Sequence, residues 1–138
     1  MTSRTIIEVP TSGYHDLQDL TPRITAAVRD AGIQTGIASL FVQGSTGALG
    51  LMEVERGLAR DLPEMLNRWA PPSEEYAHEQ TWHDGNGHSH LQATLLGQSV
   101  TIPVAEGAPD LGTWQQVFLL ECDIRPRKRT VVVTVIGD

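Results

Sequence analysis

SVTIPV (99–104), QQVFLLE (115–121) and TVVVTVIG (130–137) fill the last third of the chain with β-branched and apolar residues in runs of strand length. Their separators, EGAPDLGT (106–113) and DIRPRK (123–128), supply the Gly, Pro and Asp that turn a chain. Consecutive short strands joined by short turns pair antiparallel, so the C-terminal part reads as a mainly antiparallel sheet.

Upstream, the pattern becomes mixed. TIIEV (5–9) is strand-like and is ended by Pro10 and a Thr-Ser-Gly turn. A helix follows, with Thr21 as its cap, Pro22 at its first position and Gly32 at its end, and with Ile24, Ala27, Val28 and Ala31 on one face. TGIASLFV and ALGLMEVE read as two further strands around the small polar loop QGSTG. Residues 56–69 carry an apolar stripe of Leu58, Leu62, Leu66 and Trp69, closed by Pro71-Pro72. Pro63 inside this stretch predicts either a kink or a restart capped by Asp61. The segment 76–90 is polar and reads mostly as loop, while HLQATLLG (90–97) is too short to assign between helix and strand. The expectation is one α+β domain over residues 1–138, with packed, mainly antiparallel β-sheets and two or three helices.

Composition narrows the function classes. Seventeen acidic against ten basic residues leave a net charge of −7, which argues against a broad nucleic-acid surface. No apolar run approaches the ~20 residues of a membrane span, and the N-terminus lacks the apolar core of a signal peptide. The single cysteine, Cys122, allows no internal disulfide. A cytoplasmic protein without a membrane or nucleic-acid partner is the expectation. Cys122 in VFLLECD reads as a small core residue rather than a reactive thiol.

Four of the five histidines, His78, His83, His88 and His90, fall in YAHEQTWHDGNGHSH. Imidazole is the commonest metal ligand and titrates near neutral pH. On an extended segment His88 and His90 point the same way and can grip one ion. On a helix they diverge by roughly 200°, so a shared ion requires His88-Ser89-His90 to be extended or irregular. His78 would return as the third ligand, completing the three-histidine set of a catalytic zinc-type site. Asp84, or the more distant Glu53, would supply a carboxylate ligand or a general base. The plain alternative is a histidine-rich surface loop, because no cysteine-containing structural zinc motif is present. His83 is the weakest candidate, and His15 reads as surface.

Gly44-Ser45-Thr46-Gly47 offers two hydroxyls and flanking glycines that let backbone N–H groups approach a phosphate. It lacks the Gly-Lys-Ser/Thr ending of a P-loop and is equally a glycine-rich turn. Arg125, Arg127, Lys128 and Arg129 concentrate four of the ten basic residues, a candidate clamp for phosphate or carboxylate or else a solvated turn. For Lys128 the solvated reading is preferred, and Arg125 and Arg127 are the better clamp candidates. Trp114 would stack on a flat heterocycle with Gln115 bonding its edge, or would anchor the core.

The motifs GST-x-A-L (44–49), Glu53, Tyr76 with His78, D-x-NGHSHL (84–91), LLG-x-S (95–99), IPV-x-EG (102–107), LGTWQQ (111–116) and RPRKR (125–129), taken in order, resemble the YjbQ family, also called the secondary thiamine-phosphate synthase family. The resemblance covers about residues 5 to 137. It implies a compact α+β fold, a homotrimer with a polar pocket near the subunit boundary, and weak thiamine-phosphate synthesis. That reaction joins a hydroxymethylpyrimidine diphosphate to a thiazole phosphate and releases pyrophosphate. It further implies catalytic roles at Glu53, His78, His88 and His90. Ser45, Thr46, Asn86, Trp114, Gln115, Arg125 and Arg127 would contact a small phosphorylated metabolite. A divalent metal, zinc first, would sit on His78, His88 and His90. Many members carry His-Thr-Ser where this chain has Gly44-Ser45-Thr46, so it resembles a Gly-Ser-Thr subgroup, with His83 as a possible replacement. Three readings stay open: a transferase or phosphoester hydrolase, a non-catalytic phosphometabolite-binding module, and a trimer that its metal only stabilises.

Overall fold

The computed structural model describes residues 1–73 and 75–138. Its strands are β1 (Thr2–Pro10), β2 (Leu17–Asp19), β3 (Thr35–Val42), β4 (Gly47–Met52), β5 (Ser99–Ala105), β6 (Ala108–Pro109), β7 (Gln116–Glu121) and β8 (Lys128–Gly137). Its helices are α1 (Thr21–Ala31), α2 (Arg56–Trp69), α3 (Ala77–Thr81) and α4 (Gly87–Leu96). Every strand pairing is antiparallel. One sheet has the order β1-β8-β3-β5-β6, the other β2-β7-β4.

The burial patterns of β7 and β8 explain the layering. In β8, Arg129, Val131, Val133 and Val135 are buried while the intervening residues face outward, the period-2 signature of a sheet packed on one side. In β7 the run Val117 to Glu121 is buried throughout, because both faces are covered. Val117 and Leu119 join the main core with α1 and the larger sheet. Phe118 and Leu120 face the other way, into a second core with Ala48, Leu66, Ala93 and Cys122. The smaller sheet is therefore the middle layer, with the larger sheet on one face and α2 and α4 on the other. Burial of each such Leu or Phe contributes about 1.5–3 kcal/mol. Cys122 is fully buried and its thiol is pushed up to about 12 by burial and then by Glu121, as befits a core residue.

Several local expectations change. Leu20, not Thr21, caps α1, and Pro22 lies in its first turn. The Thr21 hydroxyl accepts instead from Val117 N–H (2.9 Å), tying α1 to β7. Gly32 ends the helix in the left-handed conformation, φ 71°. α2 runs through Pro63 unbroken; its cap is Glu55, whose carboxylate accepts from Gly57 N–H (2.7 Å) and Leu58 N–H (2.5 Å). The polar stretch expected to be mostly loop holds α3 and the start of α4, so the described residues form four helices. Among the described residues no helix is long and apolar enough to cross a membrane.

Candidate functional site

β4 and β7 pair so that Gly47 opposes Glu121 and Met52 opposes Gln116. This register brings the Gly44–Gly47 loop against the start of the β7–β8 connection. Thr46 Oγ donates to Asp123 Oδ2 (3.0 Å) and accepts from Arg129 (2.7 Å). The Arg129 guanidinium grips the Glu121 carboxylate through both oxygens, Nε to Oε1 at 2.9 Å. Glu121 also accepts from Thr11 Oγ1 (2.7 Å) and Asp123 N–H (3.0 Å). Arg127 donates to Asp123 Oδ2 from Nε (3.1 Å) and Nη2 (2.8 Å). Burial alone would push the Asp123 carboxyl up; hydrogen bonds from Thr46 and Arg127 outweigh it and hold it below the usual carboxylate range.

Glycine is required where Arg129 passes under the loop. A Cβ on Gly44, which has φ +106°, would lie 2.7 Å from Arg129 Nη1, and one on Gly47 would lie 3.0 Å from its Nε. A histidine at position 44 would therefore displace this guanidinium.

Facing the loop, α4 begins at Gly87 behind Asn86. The helix corrects the expectation of an extended His88-Ser89-His90 segment. Two positions along a helix rotate side chains by roughly 200°, so His88 and His90 part company. The His90 ring packs 4.5 Å, centroid to centroid, from His78. Burial, then the neighbouring His78, lowers its pKa, which favours the neutral form of the imidazole. His88 turns inward, 2% exposed, edge-on to Tyr14 at 5.2 Å. Neither of its ring nitrogens has a hydrogen-bond partner, nor does the Ser89 hydroxyl. Burial, then His15, lowers the His88 pKa. His15 itself is not a free surface residue: its ring stacks on Tyr14 at 3.7 Å and meets Gln92 Oε1 at 2.8 Å.

His78 Nε2 lies 3.1 Å from Asp84 Oδ1 and 2.9 Å from the Asn86 side-chain amide. The Glu79 carboxylate is buried and accepts from Gly87 N–H (3.2 Å). Donor atoms of His78, Glu79 and Asp84 all lie within 4.8 Å of one another. This nitrogen-and-carboxylate set suits a divalent first-row cation. Turned over, the Asn86 NH2 donates to Asp84 Oδ1 at 2.7 Å and gives up a long 3.5 Å contact with Asp123. Two unprotonated oxygens 2.7 Å apart would repel, so the amide sits with its NH2 towards Asp84 and His78.

Gly44, Ser45, Thr46, Asp84, Asn86, His90, Asp123, Arg127 and Arg129 line a cleft of about 310 Å³. A second hollow of about 520 Å³, lined by Glu79, Gln80, His83, Asp84 and Gly85, adjoins it through Asp84. Of these two hollows, the smaller combines hydroxyls, guanidiniums, two carboxylates and an imidazole. It gathers Ser45, Thr46, Asp84, Asn86, His90 and Arg127 from the residues singled out in the sequence, and Arg129 from the basic run, with His78 reaching it through Asp84 and Asn86. It does not gather Arg125, which is exposed outside the lining, nor His88. Glu53, Trp114 and Gln115 lie at the Met52–Gln116 end of the β4–β7 ladder. Five residues at about 3.3 Å each put that end about 17 Å from Gly47. Trp114 is 72% exposed and anchors no core.

Glu79, Asp123 and Arg129 belong to the site but carried no separate reading in the sequence. For Arg129 a signal exists, since it continues the Val131, Val133, Val135 phase and so faces inward.

Known proteins give the same picture of the fold. The family profile described as UPF0047 protein YjbQ-like matches residues 5–138. A UPF0047 protein from Methanothermobacter thermautotrophicus is 40% identical over 127 residues, covering 92% of this chain and 87% of the relative. Another from Archaeoglobus fulgidus is 37% identical, covering 86% and 89%. The crystal structure of a YbjQ-like protein of unknown function from Sulfolobus solfataricus superposes with a TM-score of 0.93 at 35% identity, over 100% of this chain and 99% of that one. A hypothetical protein from Aeropyrum pernix gives a TM-score of 0.91 at 30% identity, over 99% of each.

Proposed function

The chain belongs to the UPF0047 YjbQ-like family, and from that premise we propose that it is an enzyme acting on a small phosphorylated metabolite with the help of a divalent metal ion, zinc first. The observation that carries this reading is the meeting of three elements at the cleft and the hollow that adjoins it through Asp84. They are the His78–Glu79–Asp84 trio, the neutral His90, and the Ser45-Thr46 loop with Arg127 and Arg129 behind it. A cation on the trio would neutralise phosphate oxygens and ease their departure as a leaving group. Ser45 and the loop amides orient the phosphate. Arg129, clamped by Glu121, holds the Thr46 hydroxyl in place. In a hydrolysis, His90 would accept the proton of the attacking water.

Weak thiamine-phosphate synthesis is the first activity to assign. In it the thiazole nitrogen bonds to the pyrimidine methylene carbon while the carbon–oxygen bond to pyrophosphate breaks. A (β/α)₈ barrel needs about 200 residues or more, so here the activity would be carried on a different scaffold. Phosphoester hydrolysis is the second reading, favoured by the neutral imidazole of His90, which suits activation of a water.

The same reading takes the chain as a homotrimer. Support comes from Trp69, Trp82 and Trp114, each 67–72% exposed, and from Leu91 and Leu95 on the outer side of α4. In a head-to-tail ring the Glu53–Trp114–Gln115 end of one copy can approach the cleft of the next.

The test is turnover of the thiamine precursors and of a phosphoester panel by metal-loaded protein, beside His78→Ala and His90→Ala, with mass measured by light scattering. Turnover lost in both variants supports the enzyme. Saturable binding without product would replace it with a metabolite-binding module. A chelator that dissociates the oligomer would favour a metal that only stabilises the assembly.

A further inference from the structure

The two arginines lining the cleft are not free to receive an anion. Arg127 is paired with Asp123 at 2.8 Å and Arg129 with Glu121. Asp84 and Glu79 stand beside them without an arginine or lysine partner among the described residues. Asp84 and Asp123 in the lining, Glu121 behind Arg129 and Glu79 in the adjoining hollow set four carboxylates against two guanidiniums, a formal balance of two negative charges around the cleft. A phosphate dianion entering it meets repulsion strengthened by partial burial. A divalent cation on His78, Glu79 and Asp84 brings the balance to neutral, and in such sites the ion is the largest local charge. The hydroxyl and amide donors of Ser45 and Thr46 can then act on the phosphate without that opposing field.

We propose that the cleft takes phosphate only as a partner of its divalent cation, so that cation and phosphate bind cooperatively. This rests on the metal-binding part of the reading above and adds its ligand logic. The arginines position Thr46 and the β7–β8 connection, and the cation supplies the anion affinity. Arg125, outside the lining and in no ion pair among the described residues, does not rescue phosphate binding when the cation is absent.

The experiment is calorimetric titration of methyl phosphate, a weak chelator, into the full chain, metal-stripped and Zn2+-loaded. The expected result is binding at least about tenfold tighter with Zn2+, with Zn2+ held tighter by the same factor when methyl phosphate saturates, as linkage requires. Asp123→Asn removes one negative charge and frees Arg127, so it should give the stripped protein measurable affinity for methyl phosphate. Asp84→Asn, on the half-exposed side of the cleft, should do the same while weakening Zn2+. Equal affinity with and without Zn2+ overturns the inference and leaves the metal site standing, and so does binding to neither form. If Zn2+ does not bind, the metal reading falls and the inference with it. If neither folded variant binds methyl phosphate without metal, charge is not what excludes the anion, and the inference is wrong.

Discussion

At one end of the β4–β7 ladder, charged groups are buried and saturated with partners; at the other, the polar and aromatic groups stand in solvent. Glu121 is fully buried and takes hydrogen bonds from Thr11, Arg129 and the backbone of Asp123. Asp123 takes them from Thr46 and Arg127. At the far end, Gln116 Oε1 accepts from Val54 N–H at 2.8 Å, and Gln115 Oε1 from Gly112 N–H at 3.0 Å. Trp114 lies open beside them. The buried end is preorganised: its groups hold their geometry without a ligand, which is what electrostatic catalysis demands. The open end acquires a fixed geometry only against something else. One six-residue ladder thus carries a rigid half-site and an adaptable surface.

The strongest way to break this contrast is to remove a member of the rigid end. Arg129→Ala leaves Glu121 as a buried, uncompensated charge and is expected to destabilise the chain by about 3–5 kcal/mol. Chemical denaturation measures this, and a loss below about 1 kcal/mol would mean that the network does not hold that end together.

Next in size is the division between the two faces of α4, where His90 turns to His78 on α3 and His88 turns into the interior. His78→Ala should weaken Zn2+ by more than the roughly 10–100-fold seen when a mere supporting group is lost. His88→Leu, on the opposite face, should leave Zn2+ affinity unchanged. Zn2+ calorimetry on both variants decides it, and equal losses would return His88 to the ligand set.

Acidification gives a smaller effect. The folded Asp123 pKa lies below its ordinary value, so its contribution is present above about pH 4. It is lost as pH falls further, through the folded pKa. His15 and His88 also have lowered pKa values from burial, so the folded state binds fewer protons than the unfolded one. Their contribution is complete above about pH 6.5 and declines as pH falls below it. Melting temperatures from pH 8 to pH 3 should therefore fall in two stages, the acid stage flattened in Asp123→Asn. A melting temperature that rises on acidification through pH 6 would contradict the buried, unpartnered placement of His88.

The smallest effect belongs to the open end. Trp114→Ala should change the folding stability of the chain by no more than about 0.5 kcal/mol. A larger change in a denaturation curve would show that the residue is packed after all.

Much of this architecture can be read locally. The alternation in TVVVTVIG and the Pro22–Gly32 bracket around α1 depend on near neighbours, and the structure keeps both elements. Period alone could not reveal that QVFLLE is buried on both faces, because an apolar run is equally consistent with one covered face and a tolerant second. Nor did polarity distinguish loop from helix over YAHEQTWHDGNGHSH. The α3–α4 pair forms there because Glu79 reaches Gly87 N–H and Asn86 reaches Asp84 and His78, contacts two to eight residues apart in sequence.

By itself the sequence determined the inventory and the class: one α+β domain, a tight histidine group, a Gly-Ser-Thr-Gly turn and a basic run, all set by composition and short-range pattern. Only the tertiary structure decided which of these residues meet. The β4–β7 register places Thr46 beside Asp123 and leaves Glu53 and Trp114 at the opposite end, while the helical phase of α4 sends His90 to His78 and His88 into the interior. Strand register and helix phase are selected by burial over the whole domain, and no neighbouring residues encode that choice.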